Sequence, residues 1–235
     1  TVRAKDGSNF WFEKLEIQYL LLASRAGGVL HDSGAKEDFK RNWVRTYARS
    51  VLRDEFGRYS AEEVADLFSR VGSEYKRIDI LVNNAGTSSV ARLQDLSNEQ
   101  MMGDIQLKVY GAIYCARHVL EHLKRSESAV IINTTTPGGK APAAGTQPTA
   151  MSRAAGISLT KTWSKELAEF NIRVNTICIG LIKSGQHRSK WAVVHENDAS
   201  YSLDDHWQAL AKSVPLGRVG EASEAGDVIC FLASA

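Results

Sequence analysis

The chain has 235 residues and a mass of 25.8 kDa, with 43% hydrophobic and 24% charged residues, which is enough for one sizeable core and too little for two comfortable domains. A formal net charge of +2 excludes a global pull toward nucleic acid or membrane, and no apolar run reaches the roughly 18 residues that span a bilayer. Cys115, Cys178 and Cys230 stand far apart without paired spacing, and residues 1–14 lack a signal-peptide pattern, so the expected setting is the reducing cytoplasm and the expected partner a small molecule.

Residues 17–22 form an apolar run of strand length, followed by Ala23-Ser24-Arg25-Ala26-Gly27-Gly28, a small and Gly-rich turn. Over 36–56, Phe39, Trp43, Tyr47 and Val51 recur every four residues, with Arg41, Arg45, Arg49 and Arg53 on a neighbouring face. That pattern predicts an amphipathic helix whose basic stripe is either a solvated face or a grip on a cofactor phosphate or nucleic acid. Ser60 followed by Glu63 predicts a capped helix ending near Tyr75. A buried strand over 78–82 then opens into Asn83-Asn84-Ala85-Gly86, a tight turn at the edge where doubly wound sheets place ligands.

Helical periodicity covers 97–123, a β-branched apolar strand 129–133, and a loop rich in Gly, Pro and Ala 134–148. A helix over 149–170 and a strand over 172–179 follow. The polar stretch 185–210 carries His187, Trp191, His195, His206 and Trp207, the make-up of a helical lid over a substrate. A turn over 215–221 precedes the last helix, 222–232. Alternating strands and helices predict an α/β fold with a parallel sheet and right-handed crossovers.

The Asn-Asn-Ala-Gly turn with its preceding Arg77-Ile78-Asp79-Ile80-Leu81-Val82 resembles the short-chain dehydrogenase/reductase superfamily. Ile172-Arg173-Val174-Asn175, Ile179-Gly180-Leu181-Ile182-Lys183-Ser184, Pro215-Leu216-Gly217-Arg218-Val219-Gly220-Glu221 and Phe231-Leu232-Ala233-Ser234 follow in the family's order, so the likeness runs from about residue 76 to the end. It implies one Rossmann-like domain over 1–235, a doubly wound parallel sheet with helices on both faces, and a further strand beyond Ala235. It also implies NAD(P) as cofactor and a homo-oligomer, a dimer or tetramer built through the helices 97–123 and 149–170.

Two constellations depart from that family. Its opening turn reads T-G-x-x-x-G-x-G, whose glycines let backbone N–H groups approach a pyrophosphate. Here Leu21 and Leu22 stand at the first two of those positions and Ala26 at the middle glycine, leaving Gly28 in register. If a dinucleotide binds, the resemblance assigns its contacts to Ser24, Arg25, Gly28, Asn83, Ala85, Gly86 and Ser184. Gly27-Gly28 with Arg25 can alternatively form a different phosphate nest.

The family's catalytic Ser, Tyr, Lys and Asn fall on Thr136, Thr149, Arg153 and Lys108, in a register that Ser152-Arg153-Ala154-Ala155 fits without gaps. Thr136 keeps a hydroxyl. Thr149 is far less acidic than a tyrosine, whose reference pKa is near 10. Arg153 keeps a permanent charge without a releasable proton. Lys108 adds a second cation if it faces inward, or reaches solvent along its helix. Two hydroxyls and two cations suit an oxyanion, carboxylate or enolate. The spacing of Thr136 and Arg153 is also similar to that of halohydrin dehalogenases, which use no nicotinamide, although Thr149 lacks their tyrosine.

The expected function is therefore a diverged enzyme with a non-standard active site, without a cofactor, acting as an isomerase, lyase or cyclase on a hydroxy or carbonyl compound. An NAD(P)-dependent carbonyl or alcohol oxidoreductase and a catalytically silent subunit are the alternatives. No metal site is expected: His118 and His122 lie four apart on one helix with no evident third ligand.

Overall fold

A computed structural model describes residues 61–234 and the short strands β1 (Val2–Arg3) and β2 (Asn9–Phe10), which pair antiparallel. The strand expected at 17–22, the turn carrying Ser24, Arg25 and Gly28, and the basic helix over 36–56 lie outside the described residues.

Strands β3 (Ile80–Asn83), β5 (Val130–Thr135) and β7 (Arg173–Cys178) form a parallel sheet in the order β3-β5-β7, with Leu81 opposite Ile131 and Ile131 opposite Val174. Side chains of β5 alternate between two cores, as the pleat requires. Ile131 joins Leu81, Val174, Val119 and Leu123 on one face, against α1 (Ala61–Tyr75), α3 (Gly111–Leu123) and α4 (Thr149–Glu166). Val130 and Ile132 point the other way, to Ile177 and to Ile229 and Ala233 of α7 (Ala222–Ala233). Val130, Ile131 and Ile132 are fully buried, which is why this strand reads as one unbroken apolar run. Each such side chain contributes about 1.5–3 kcal/mol by leaving water. The architecture is α/β, with a parallel sheet between helical layers.

Three local departures from the expected elements follow from packing. The helix expected over 97–123 is divided into α2 (Asn98–Ile105), a π-helical turn over Gln106–Tyr110, and α3. Ser97 caps α2 reciprocally with Gln100, each bond being 3.1 Å. The wider turn buries Leu107 and Lys108 while Tyr110 faces solvent.

The stretch expected as a loop over 134–148 holds the end of β5, a 3-10 turn over Pro137–Gly139, and β6 (Gln147–Pro148), which pairs with β4 (Val90–Ala91). Gly139 allows that turn to lie against α4, since a methyl group there would meet the Arg153 backbone carbon at 2.9 Å. The helix over 149–170 finishes as a 3-10 turn, Leu167–Phe170, and stops at Asn171, whose φ of 55° is left-handed.

The lid sequence folds as α5 (Gly185–Asn197) and α6 (Leu203–Ala211), the second capped reciprocally by Ser202 and Asp205. Among the described residues, no helix is long and apolar enough to cross a membrane.

Candidate functional site

The C-terminal ends of β3 and β5 are tied together by polar side chains. Asn83 Nδ2 donates to Asn133 Oδ1 at 2.8 Å, and Asn133 Nδ2 donates to Thr160 Oγ1 on α4 at 2.9 Å. Thr134 Oγ1 donates to the Asn83 carbonyl at 3.2 Å. Asn83 thus fixes the turn by linking adjacent strands, and Ala85 packs on the core below it. A buried amide held on both sides sets the geometry of this edge.

Gly86 is where the turn meets α4. A methyl group there would lie 3.2 Å from Arg153 Cζ and nearer still to Nη2, so any other residue at this place requires the guanidinium to shift. Arg153 Nη1 donates to the Thr134 carbonyl at 2.8 Å, which holds its plane across the ends of β3 and β5. Arg153 Nε is buried without a hydrogen-bond partner. Burial pulls the guanidinium below its usual range and the Asp104 carboxylate opposes that shift; Arg153 remains a cation.

Lys108 faces inward. Its side chain is 1% exposed and ion-paired with Asp104, whose side chain is fully buried one helical turn earlier. Lys108 Nζ also donates to Thr149 Oγ1 at 3.1 Å. Asp104 Oδ2 accepts from Ser152 Oγ at 2.5 Å. Burial lowers the Lys108 pKa, Asp104 raises it, and Arg153 lowers it again. Asp104, at the end of α2, and Lys108, in the π-helical turn, share one side of the helix by their spacing of four and meet the start of α4 there.

The Thr149 hydroxyl is fully committed inside the protein. It donates to the Ser89 carbonyl at 2.7 Å and accepts from the Ser89 N–H at 3.0 Å and from Lys108. A hydroxyl has one proton and two lone pairs, so no bonding capacity is left for a ligand. Thr136, by contrast, is half-buried at the mouth of the edge, with extended backbone at φ −136° beside the Pro137–Gly139 turn. Ser184 starts α5 with no side-chain capping bond, and the next residue but one, Gln186, donates from Nε2 to the Gly86 carbonyl at 2.9 Å. The lid is thereby anchored to the turn.

Of the residues expected at the site, Lys108, Thr149, Arg153 and Gly86 come together, while Thr136 follows the end of β5 and Ser184 precedes α5. Asp104, Ser152 and Gln186 were not expected from sequence. Asp104 carried a signal, an acid four residues before a lysine on one helix; Gln186 carried none.

Within the lid, Trp191 Nε1 donates to the Tyr201 carbonyl and His195 Nδ1 lies against the same oxygen, both at 3.0 Å. His187 and His206 stand 6.5 Å apart between ring centroids, and each packs against Trp207. Burial lowers the His187 pKa, as do Lys190 and His206. His122 lies on α3 away from this edge, its ring 2.6 Å from where a methyl group on Gly72 of α1 would sit, so it serves the contact between two helices.

The resemblance implied a nicotinamide with a tyrosine as proton donor; at the tyrosine's place the described edge carries the Thr149 hydroxyl, bonded within the protein, and the Arg153 guanidinium lies against Gly86.

The family model described as enoyl-(acyl carrier protein) reductase matches residues 59–235. The chain is 32% identical to the 3-oxoacyl-(acyl-carrier-protein) reductase FabG of Thermotoga maritima, over 74% of this chain and 65% of that protein. It is 33% identical to the oxidoreductase UcpA of Salmonella typhimurium, over 67% of this chain and 59% of that protein. The chain thus spans less than two thirds of the length of these curated relatives. Among solved structures, a short-chain oxidoreductase of Pseudomonas aeruginosa, described as containing an atypical catalytic center, superposes with a TM-score of 0.69 at 30% identity, covering 74% of this chain and 67% of the other. The L-sorbose reductase of Gluconobacter frateurii, complexed with NADPH and L-sorbose, gives 0.70 at 26% identity, covering 74% and 66%.

Proposed function

Because the chain belongs to the short-chain dehydrogenase/reductase superfamily, we propose that it acts on a small hydroxy or carbonyl compound at the C-terminal edge of β3 and β5, through a non-standard site that steadies an oxyanion. The reaction class is an isomerisation, elimination or cyclisation passing through an enolate, without nicotinamide, the α-proton leaving to a solvent base and the developing charge resting on Arg153. The observation carrying this reading is the saturated Thr149 hydroxyl, which removes the proton donor that hydride transfer to a carbonyl requires.

The charges support it. Lys108 and Asp104 offset one another inside the protein, and the fixed charge of Arg153 is left over at the edge. A pre-oriented cation in a water-poor site stabilises developing negative charge more strongly than one in bulk water. The assigned roles divide accordingly. Arg153 and Thr136 face the ligand, the first holding the oxyanion and the second donating from its hydroxyl. Lys108 and Thr149 are positioning residues that act through Asp104 and Ser89. The relative with an atypical catalytic center supports departure from the family's usual groups at this place.

A second reading, NAD(P)-dependent carbonyl or alcohol reduction, is favoured by the reductases among the relatives and by the intact Asn83–Gly86 turn. On either reading the protein is one Rossmann-like domain, cytoplasmic and homo-oligomeric. The exposed Met102, Tyr110 and Met151 on α2, the π-helical turn and α4 support contact between copies.

Exchange of α-protons in deuterated water separates the two chemistries. A panel of 2-oxo acids and hydroxy ketones is incubated with the full chain and followed by proton NMR. Catalysed washout of an α-proton without nicotinamide is expected, falling about a hundredfold in Arg153→Met. Consumption that strictly requires NADPH, with no washout in its absence, overturns the reading in favour of the second.

A further inference from the structure

We infer that the ligand carries a carboxylate, and that the Nε/Nη2 edge of Arg153 is the fork that receives it; this deepens the reading of the same site and rests on it for the site's location. The guanidinium has two usable sides. Its Nη1 is occupied by the Thr134 carbonyl at 2.8 Å, which fixes the plane. The other side consists of Nε, buried without a partner, and Nη2, seated over Gly86.

A buried charged N–H that lacks a partner is unfavourable and calls for an explanation, and a ligand oxygen satisfies it. Two parallel N–H donors match the two oxygens of a carboxylate, whereas a ketone or alcohol oxygen fills one of them. The same edge is used in this way elsewhere in the chain: Arg77 Nε and Nη2 take Asp79 Oδ2 and Oδ1 at 2.7 and 2.8 Å. No carboxylate of the protein hydrogen-bonds Arg153 among the described residues, because Asp104 is taken up by Lys108 and Ser152. Arg153 as a whole is half-buried at the sheet edge while its Nε has no exposed surface, so a ligand oxygen reaches the fork when the side chain shifts outward from Gly86. A hydroxy or oxo acid is the ligand class that fills the fork and carries a second oxygen for a hydroxyl donor, the role proposed for Thr136 just past the end of β5.

The test compares 2-oxobutyrate with 2-oxobutanamide, which have the same shape and differ in charge. Binding to the full chain is measured by calorimetry. The acid is expected to bind about tenfold or more tightly than the amide, and Arg153→Lys, which keeps the charge and loses the fork, is expected to abolish most of that preference. Gly86→Ala, which pushes the guanidinium aside, is expected to weaken acid binding severalfold more than amide binding, shrinking the preference; circular dichroism confirms that both variants fold. Equal affinity for acid and amide, an undiminished preference in Arg153→Lys, or no acid binding up to about 10 mM overturns the inference. Nicotinamide-dependent turnover would overturn the reaction class and leave the carboxylate preference standing, so the two failures are told apart.

Discussion

Asp104 and Lys108 form a pair in which each side chain justifies the burial of the other. Removing one partner leaves an uncompensated charge in the core, so Asp104→Ala should lose about 3–5 kcal/mol in urea unfolding. The double variant Asp104→Leu/Lys108→Met should recover most of that loss, because a well-packed apolar pair is often no worse than a buried ion pair. Thr149→Val, which leaves the Ser89 backbone and Lys108 short of a partner, should lose about 1–3 kcal/mol in the same assay. The titration of Lys108 has a definite sign. Its folded pKa is below the ordinary 10.5, so the unfolded chain binds more protons, and stability rises with pH between the folded value and 10.5. Lys108→Met should flatten that rise. The sequence showed the types and register of Lys108, Thr149 and Arg153. It did not show that Thr149 would be saturated, because the Ser89 backbone that saturates it is 60 residues away in the chain.

Helix starts and the π-helical turn are features of elements. The capping boxes at Ser97 and Ser202 follow from local chemistry, and the first of these starts is where the sequence placed it. The π-helical turn was not legible, because the hydrophobic periodicity over 97–123 reads as one continuous helix and carries no mark of a single wider turn. At the start of α7, the Arg218 fork and the Glu221 N–H hold the Glu224 carboxyl at about 2. A depressed carboxyl stabilises the fold above its ordinary value of 4.5 and loses that contribution as pH falls toward 2. The protection of amides in the first turn of α7 relative to the unfolded chain at the same pH should therefore fall over that interval, and Glu224→Gln should show the lower protection already at neutral pH. Contrary behaviour, with exchange in that turn indifferent to both changes, would remove the cap from the account. On α3, burial pushes the Cys115 thiol up to about 12, so native protein at pH 8 should leave Cys115 unalkylated by iodoacetamide, as read by mass spectrometry.

For the whole molecule, two cores on either side of one sheet set the stability. Leu123, fully buried between α3 and β5, should cost about 2–5 kcal/mol as alanine, whereas Leu93, 82% exposed, should change stability by about 0.5 kcal/mol or less. The alternation of strands and helices from residue 76 onward made this architecture readable, because buried parallel strands are continuous apolar runs. The register of Lys108, Thr149 and Arg153 on their helices was readable, whereas the contacts to Gly86, Ser89 and Asp104 are set by tertiary packing. The central claim is that the family's fold here carries an oxyanion-holding site without nicotinamide chemistry. Titration of the full chain with NADH and with NADPH, followed by nicotinamide fluorescence, tests it most directly. The account predicts no saturable change up to about 1 mM of either; micromolar binding, lost on substitution of Ser184 or Asn83, would contradict it.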